Sequence, residues 1–154
     1  MMDPHPMIDL HPQGARHAVI WLHGLGDSGA GLAPLVDALD LPATLPVRHL
    51  LPDAPERPIT INMGYKMRGW YDIKSFDNPA DRAVELHVRE SATRIQGLLN
   101  DLIAEGFAPE RIILAGFSQG GSSPPSPPCA PRRRWRACSA CPPIWRRPMS
   151  CSAS

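Results

Sequence analysis

Residues Arg111-Ile-Ile-Leu-Ala-Gly-Phe-Ser-Gln-Gly-Gly121 constrain this chain more than any other stretch. A short apolar run enters a tight turn in which glycines flank one serine. Gly116-x-Ser118-x-Gly120 is the pattern of a nucleophile elbow, a sharp strand-to-helix turn that lifts a serine hydroxyl clear of a sheet. Backbone and side chains crowd together in such a turn, so its flanking positions favour residues without a Cβ. Read alone, the pattern leaves Ser118 open as an ordinary turn serine.

The 154 residues suffice for one modest domain. Net charge is +1, so global charge selects no class of partner. The N-terminus has neither a basic n-region nor an apolar h-region. No apolar run reaches the roughly 18 residues of a membrane span. These features predict a soluble cytoplasmic protein.

Composition breaks near Gly121. Residues 122–154 hold all four cysteines, eight of 19 prolines and six arginines, but no Asp, Glu, Lys or His. The expected organisation is an ordered unit over 1–121 and a disordered Pro/Arg/Cys-rich tail over 122–154.

Within the first unit, Ala18–Leu22, Val47–Leu51 and Arg111–Ala115 are apolar runs of buried-strand type. Ser28 is a candidate helix cap, with Leu32, Leu35, Val36 and Leu39 on one face. Val84, Val88, Ala92, Ile95, Leu98, Leu99, Leu102 and Ile103 form the stripe of a second helix over 81–105, stopped by Gly106. Residues 53–80, rich in Pro, Gly, Asn and Asp, read as a long loop. Alternation of strands and helices predicts an α/β fold with a parallel sheet and right-handed crossovers.

Leu22-His-Gly-Leu-Gly-Asp27, Arg68-Gly-Trp-Tyr-Asp72 and Gly116-Phe-Ser-Gln-Gly-Gly121 together resemble the phospholipase/carboxylesterase family, the α/β-hydrolases that include the acyl-protein thioesterases. The resemblance covers about residues 8–121. It implies a three-layer α/β-hydrolase fold with a mainly parallel sheet, incomplete after the elbow. It also implies a serine carboxylesterase or thioesterase that works through an acyl-serine intermediate, with Ser118 as nucleophile. The backbone N–H groups of Leu25 and Gln119 become the oxyanion donors. Trp70 and Tyr71 are placed beside the acyl pocket, or alternatively cover the core. His23, directly before Gly24, reads as a brace of the oxyanion loop rather than as the base. Asp27 and Asp72 read as loop hydrogen-bonders. The implied substrate is a small acyl ester or thioester, with no metal or organic cofactor and no nucleic acid.

The family's triad runs Ser, Asp or Glu, then His along the chain. No acidic residue or histidine follows Ser118; the six histidines, at 5, 11, 17, 23, 49 and 87, all precede it. The 154-residue chain is therefore expected to be a poor catalyst. The tail resembles GC-rich DNA read out of frame. Shifted by one base, the codons for Ala137–Trp145 can encode Leu-Leu-Gly-Leu-Ser-Thr-Tyr-Leu, which resembles the family's strand after the nucleophile helix. Loss of one base near the codons for Gly121 and Ser122 accounts for this. On that reading Cys138-x-x-Cys141 is no metal or redox site, and Arg132-Arg-Arg-Trp-Arg136 no nucleic-acid patch. Two other readings stay open: a non-catalytic binding module whose basic tail grips nucleic acid or acidic partners, and a subunit whose His and Asp come from a partner chain.

Overall fold

The computed structural model describes residues 5–75, 77 and 83–122. Tail residues 123–154, with the cysteines and the arginine cluster, lie outside them.

The main sheet has the order β1-β3-β2-β6, formed by Met7–Leu10, Val47–Pro52, His17–Leu22 and Ile112–Gly116. β2 runs parallel to both β3 and β6, while β1 joins β3 antiparallel. The sheet is thus mainly parallel, as the alternation of elements predicts. The three parallel strands lie within one residue of their predicted limits. The short β1 edge is not predicted at all.

Helix α1 (Gly29–Ala38) covers one face of the sheet. Its Leu32 and Val36 pack on Leu51, with Ile8 and Trp21 beside them. Helix α2 (Glu85–Ala104) covers the other. Its Ile95, Leu98, Leu99 and Leu102 join Ala18, Ile20, Leu22 and Leu50 in the larger core. Alternation along β2 sends Ala18, Ile20 and Leu22 to the α2 side and Trp21 to the α1 side. The result is a three-layer sandwich. Ser28 caps α1 as predicted, its hydroxyl accepting from Gly31 N–H.

Two apolar assignments need correction. Leu35 and Leu39 of the α1 stripe are exposed, because only the 32/36 edge of that short helix meets the sheet. On α2, Ile103 is also exposed, whereas Ser91 is buried with its hydroxyl donating to Trp70 O. The predicted loop over 53–80 is not structureless either. It contains the antiparallel hairpin β4 (Glu56–Ile59) and β5 (Tyr65–Arg68), joined through a 3-10 turn and left-handed Met63 and Gly64. Buried Arg57, donating to Gly69 O and lying 3.7 Å from Glu90, ties the hairpin to the body.

Among the described residues β6 pairs only with β2, so it forms an edge of the sheet, and its Ile113 is 46% exposed.

Candidate active site

Because β2, β3 and β6 are parallel, the segments that follow them emerge at one edge of the sheet. Three loops therefore meet there: His23–Ser28, Asp53–Pro55 and Phe117–Gln119. This carboxyl edge is where open α/β sheets place their ligands.

Ser118 tops the third loop. It is exposed and left-handed, with φ 52°, between β6 and a 3-10 turn over Gly120–Ser122. A non-glycine residue held there carries strain of about 1–3 kcal/mol, so its surroundings must enforce it. They do so by close packing. A Cβ built at Gly116 would lie 2.5 Å from the carbonyl carbon and oxygen of Gly120. One at Gly120 would lie 2.2 Å from Leu22 O and 2.6 Å from His23 O. Phe117 N–H donates to Leu22 O at 2.9 Å, and Gly120 N–H to Phe117 O at 3.0 Å, which closes the turn.

The first loop lies against this turn. A Cβ on Gly24 would be 3.6 Å from Ser118 Cβ, an ordinary contact distance. His23 sits beneath it with 0% exposure and both ring nitrogens engaged: Nδ1 is 2.7 Å from Gly24 O, and Nε2 accepts from Ala54 N–H at 2.8 Å. Burial pushes its pKa below the usual histidine value, against the raising effect of the Gly24 bond and of Asp53 and Asp27. A neutral ring with two fixed partners is a brace. His49 and His87 are each committed through one ring nitrogen. His49 Nδ1 accepts from Trp21 Nε1–H at 3.0 Å, and His87 Nδ1 from Asp72 N–H at 3.2 Å.

Three aspartates around these loops are also occupied. Asp27 accepts from Ser28 N–H, and Asp53 from Gly29 N–H while facing Arg68. Asp72 takes both the N–H and the hydroxyl of Thr60. All three serve as loop hydrogen-bonders.

Gln119 has a role that no local pattern announces. Its buried amide accepts from Trp70 N–H and donates to Tyr71 O, both at 2.8 Å. The Trp70 indole N–H in turn donates to His23 O at 2.9 Å. The elbow, the 69–71 segment and the first loop are thereby locked together. Trp70 is 0% exposed and Tyr71 6%, within the core cluster. Both side chains are thus packed in the core, the second of the two places that the sequence leaves open for them. Gln119→Ala removes two buried hydrogen bonds and leaves their backbone partners to be resatisfied. A loss of about 2–3 kcal/mol is expected, checked by the urea midpoint. Gln119→Glu, which at neutral pH buries a carboxylate oxygen against Tyr71 O, should lose at least as much.

A family model described as phospholipase/carboxylesterase matches residues 4–123. The chain belongs to the phospholipase/carboxylesterase family. Acyl-protein thioesterase 1 of Yarrowia lipolytica is 37% identical over 121 residues, 77% of this chain and 53% of the relative. Carboxylesterase SOBER1 of Arabidopsis thaliana is 36% identical over 112 residues. The crystal structure of SOBER1 superposes with a TM-score of 0.63 at 35% identity, over 70% of this chain and 52% of that one. The sandwich is accordingly part of the α/β-hydrolase fold of this family. The chain spans about half the length of the curated relatives it matches. Among the described residues no three His, Cys, Asp or Glu side chains gather as a metal site, and no helix is long and apolar enough to cross a membrane.

Proposed function

We propose that this phospholipase/carboxylesterase chain is the nucleophile-bearing half of a serine esterase acting on small acyl esters or thioesters. The observation that carries the reading is Ser118, exposed and left-handed on a turn that admits only glycine at positions 116 and 120. Its hydroxyl attacks the acyl carbonyl. The resulting oxyanion is held by the backbone N–H groups of Leu25 and Gln119, and collapse expels the alcohol or thiol to leave acyl-Ser118. Activated water then releases the acid. The names of the matched relatives, acyl-protein thioesterase and carboxylesterase, support the substrate class.

The attack needs a base, and the 154 residues offer none after Ser118. His23, His49 and His87 are held as acceptors of other N–H groups. The chain by itself is therefore expected to show only the residual hydrolysis that binding and an oxyanion hole supply. Assay of p-nitrophenyl acetate turnover in the full chain and in Ser118→Ala tests this. Turnover at the level of an ordinary esterase that vanishes in Ser118→Ala would overturn the view that the base lies outside the chain.

We attribute residues 122–154 to a shifted reading frame. Resequencing the codons for Gly116–Pro131 should restore one base near Gly121; confirmation of the present reading would remove this attribution.

A further inference from the structure

We propose that His23 is a positioning residue for the reaction assigned above to Ser118, holding the Gly24–Leu25 peptide plane so that Leu25 N–H faces outward toward the serine. The inference rests on that reading of Ser118 and Leu25 and adds to it the group that sets the donor's direction.

Ala54 N–H donates to His23 Nε2 at 2.8 Å, so Nε2 carries no proton. The single proton of the neutral ring is then on Nδ1, 2.7 Å from Gly24 O, to which it donates. The carbonyl of Gly24 and the N–H of Leu25 belong to one peptide unit. That unit is trans, since the described chain has no cis bond, so the two groups point in opposite directions. His23 lies wholly inside the core and pulls the carbonyl inward. The Leu25 N–H is thereby turned to the outer side, where Gly24 abuts Ser118. Asp27 N–H, donating to the same carbonyl at 3.2 Å, reinforces the orientation.

The ring itself cannot swing. Its far nitrogen is anchored on the loop after β3, its face lies against Trp70 with centroids 5.4 Å apart, and its own carbonyl accepts the Trp70 indole N–H. The donor's direction is thus fixed before substrate arrives, which is how a preorganised oxyanion site works.

Two measurements on the full chain test the proposal. The first is 15N NMR of histidine-labelled protein at pH 7.5. The His23 ring should show a protonated Nδ1 and a bare Nε2; the opposite tautomer overturns the assignment. The second is the rate at which an alkyl fluorophosphonate labels Ser118, read by mass spectrometry. Ser118 Oγ bonds to phosphorus, the P–F bond breaks, fluoride leaves and the serine proton passes to solvent, while the phosphonyl oxygen occupies the oxyanion position. His23→Ala should slow labelling by about 10–100-fold. His23→Asn, whose amide N–H can replace Nδ1–H toward Gly24 O, should stay within about threefold of the unmodified chain. Equal labelling of His23→Ala and the unmodified chain overturns the proposal, as does failure of His23→Asn to rescue while its fold is intact by circular dichroism. If Ser118 of the unmodified chain reacts no faster than its other serines, the nucleophile reading fails, whereas the NMR result still decides the ring geometry. Should His23→Ala not fold, the Asn variant and the tautomer decide.

Discussion

Gly120→Ala is expected to abolish the fold of this chain or cost it at least about 4 kcal/mol, the range reached only by severe core lesions. The added methyl would enter 2.2 Å from Leu22 O and 2.6 Å from His23 O. Both are backbone atoms at the end of the strand that bonds β6, so neither can rotate away as a side-chain tip would. Relief requires β2 and the elbow to separate, which breaks the Phe117 N–H bond to Leu22 O and frees the Gln119 clamp on Trp70 and Tyr71. Gly97→Ala is the matched control. Gly97 lies inside α2 with nothing within 4 Å of a built Cβ. Alanine there should stabilise by about 0.5–1 kcal/mol through helix propensity. Urea midpoints by circular dichroism check both, and a Gly120→Ala midpoint close to that of the unmodified chain would show that the turn is looser than described.

Mild acid should unfold the protein over a window set by three histidines. His23, His49 and His87 each accept an N–H on a ring nitrogen, so each must stay neutral to keep its bond. All three have pKa values below the usual histidine range, chiefly through burial; for His87 the Arg57 charge adds to it. In the unfolded chain they take up protons near pH 6.5. Above that pH neither state is charged and the histidines leave stability flat. Below it the unfolded state binds more protons, so stability falls as pH falls until the lower folded pKa values are reached. The slope is at most about 1.4 kcal/mol per pH unit for each histidine, or about 4 for all three together. Denaturant midpoints between pH 8 and pH 5 measure it. His49→Gln, whose side-chain oxygen can accept from Trp21 at any pH, should remove one share of the slope. An unchanged midpoint across that range would contradict the neutral assignments.

Sequence reading succeeds here where local physics decides. Apolar runs at 18–22 and 47–51 become largely buried parallel strands because helices cover both faces of the sheet, and the run at 111–115 becomes the third parallel strand, half-exposed at the edge. The elbow is legible because Gly116 and Gly120 are demanded by contacts within one turn and its neighbouring strand. What escapes is whatever depends on distant partners. Met7–Leu10 has only four residues and a weak pattern, and it is a strand because β3 offers it an edge. The 56–68 hairpin contains Pro58 and mixes charge with apolar residues, so its composition reads as loop. The Gln119 amide has no sequence signal, since its partners stand near residue 70. His23 could be read as a brace from its place before Gly24. Its tautomer follows only once Ala54, from another strand's loop, is seen to donate to it.

The pairing of β2 with β6 joins Ala18 to Ile112, from opposite ends of the described chain. Closing so long a loop costs entropy that only the finished contact repays, and topologies rich in distant pairings assemble slowly. During synthesis, β2 can lie beside β3 early, but its other side stays open until the ribosome has passed α2. Through that interval His17–Leu22 offers unpaired backbone next to Trp21, the kind of surface on which nascent chains stick to one another. Pairing with β6 is the step that closes this surface.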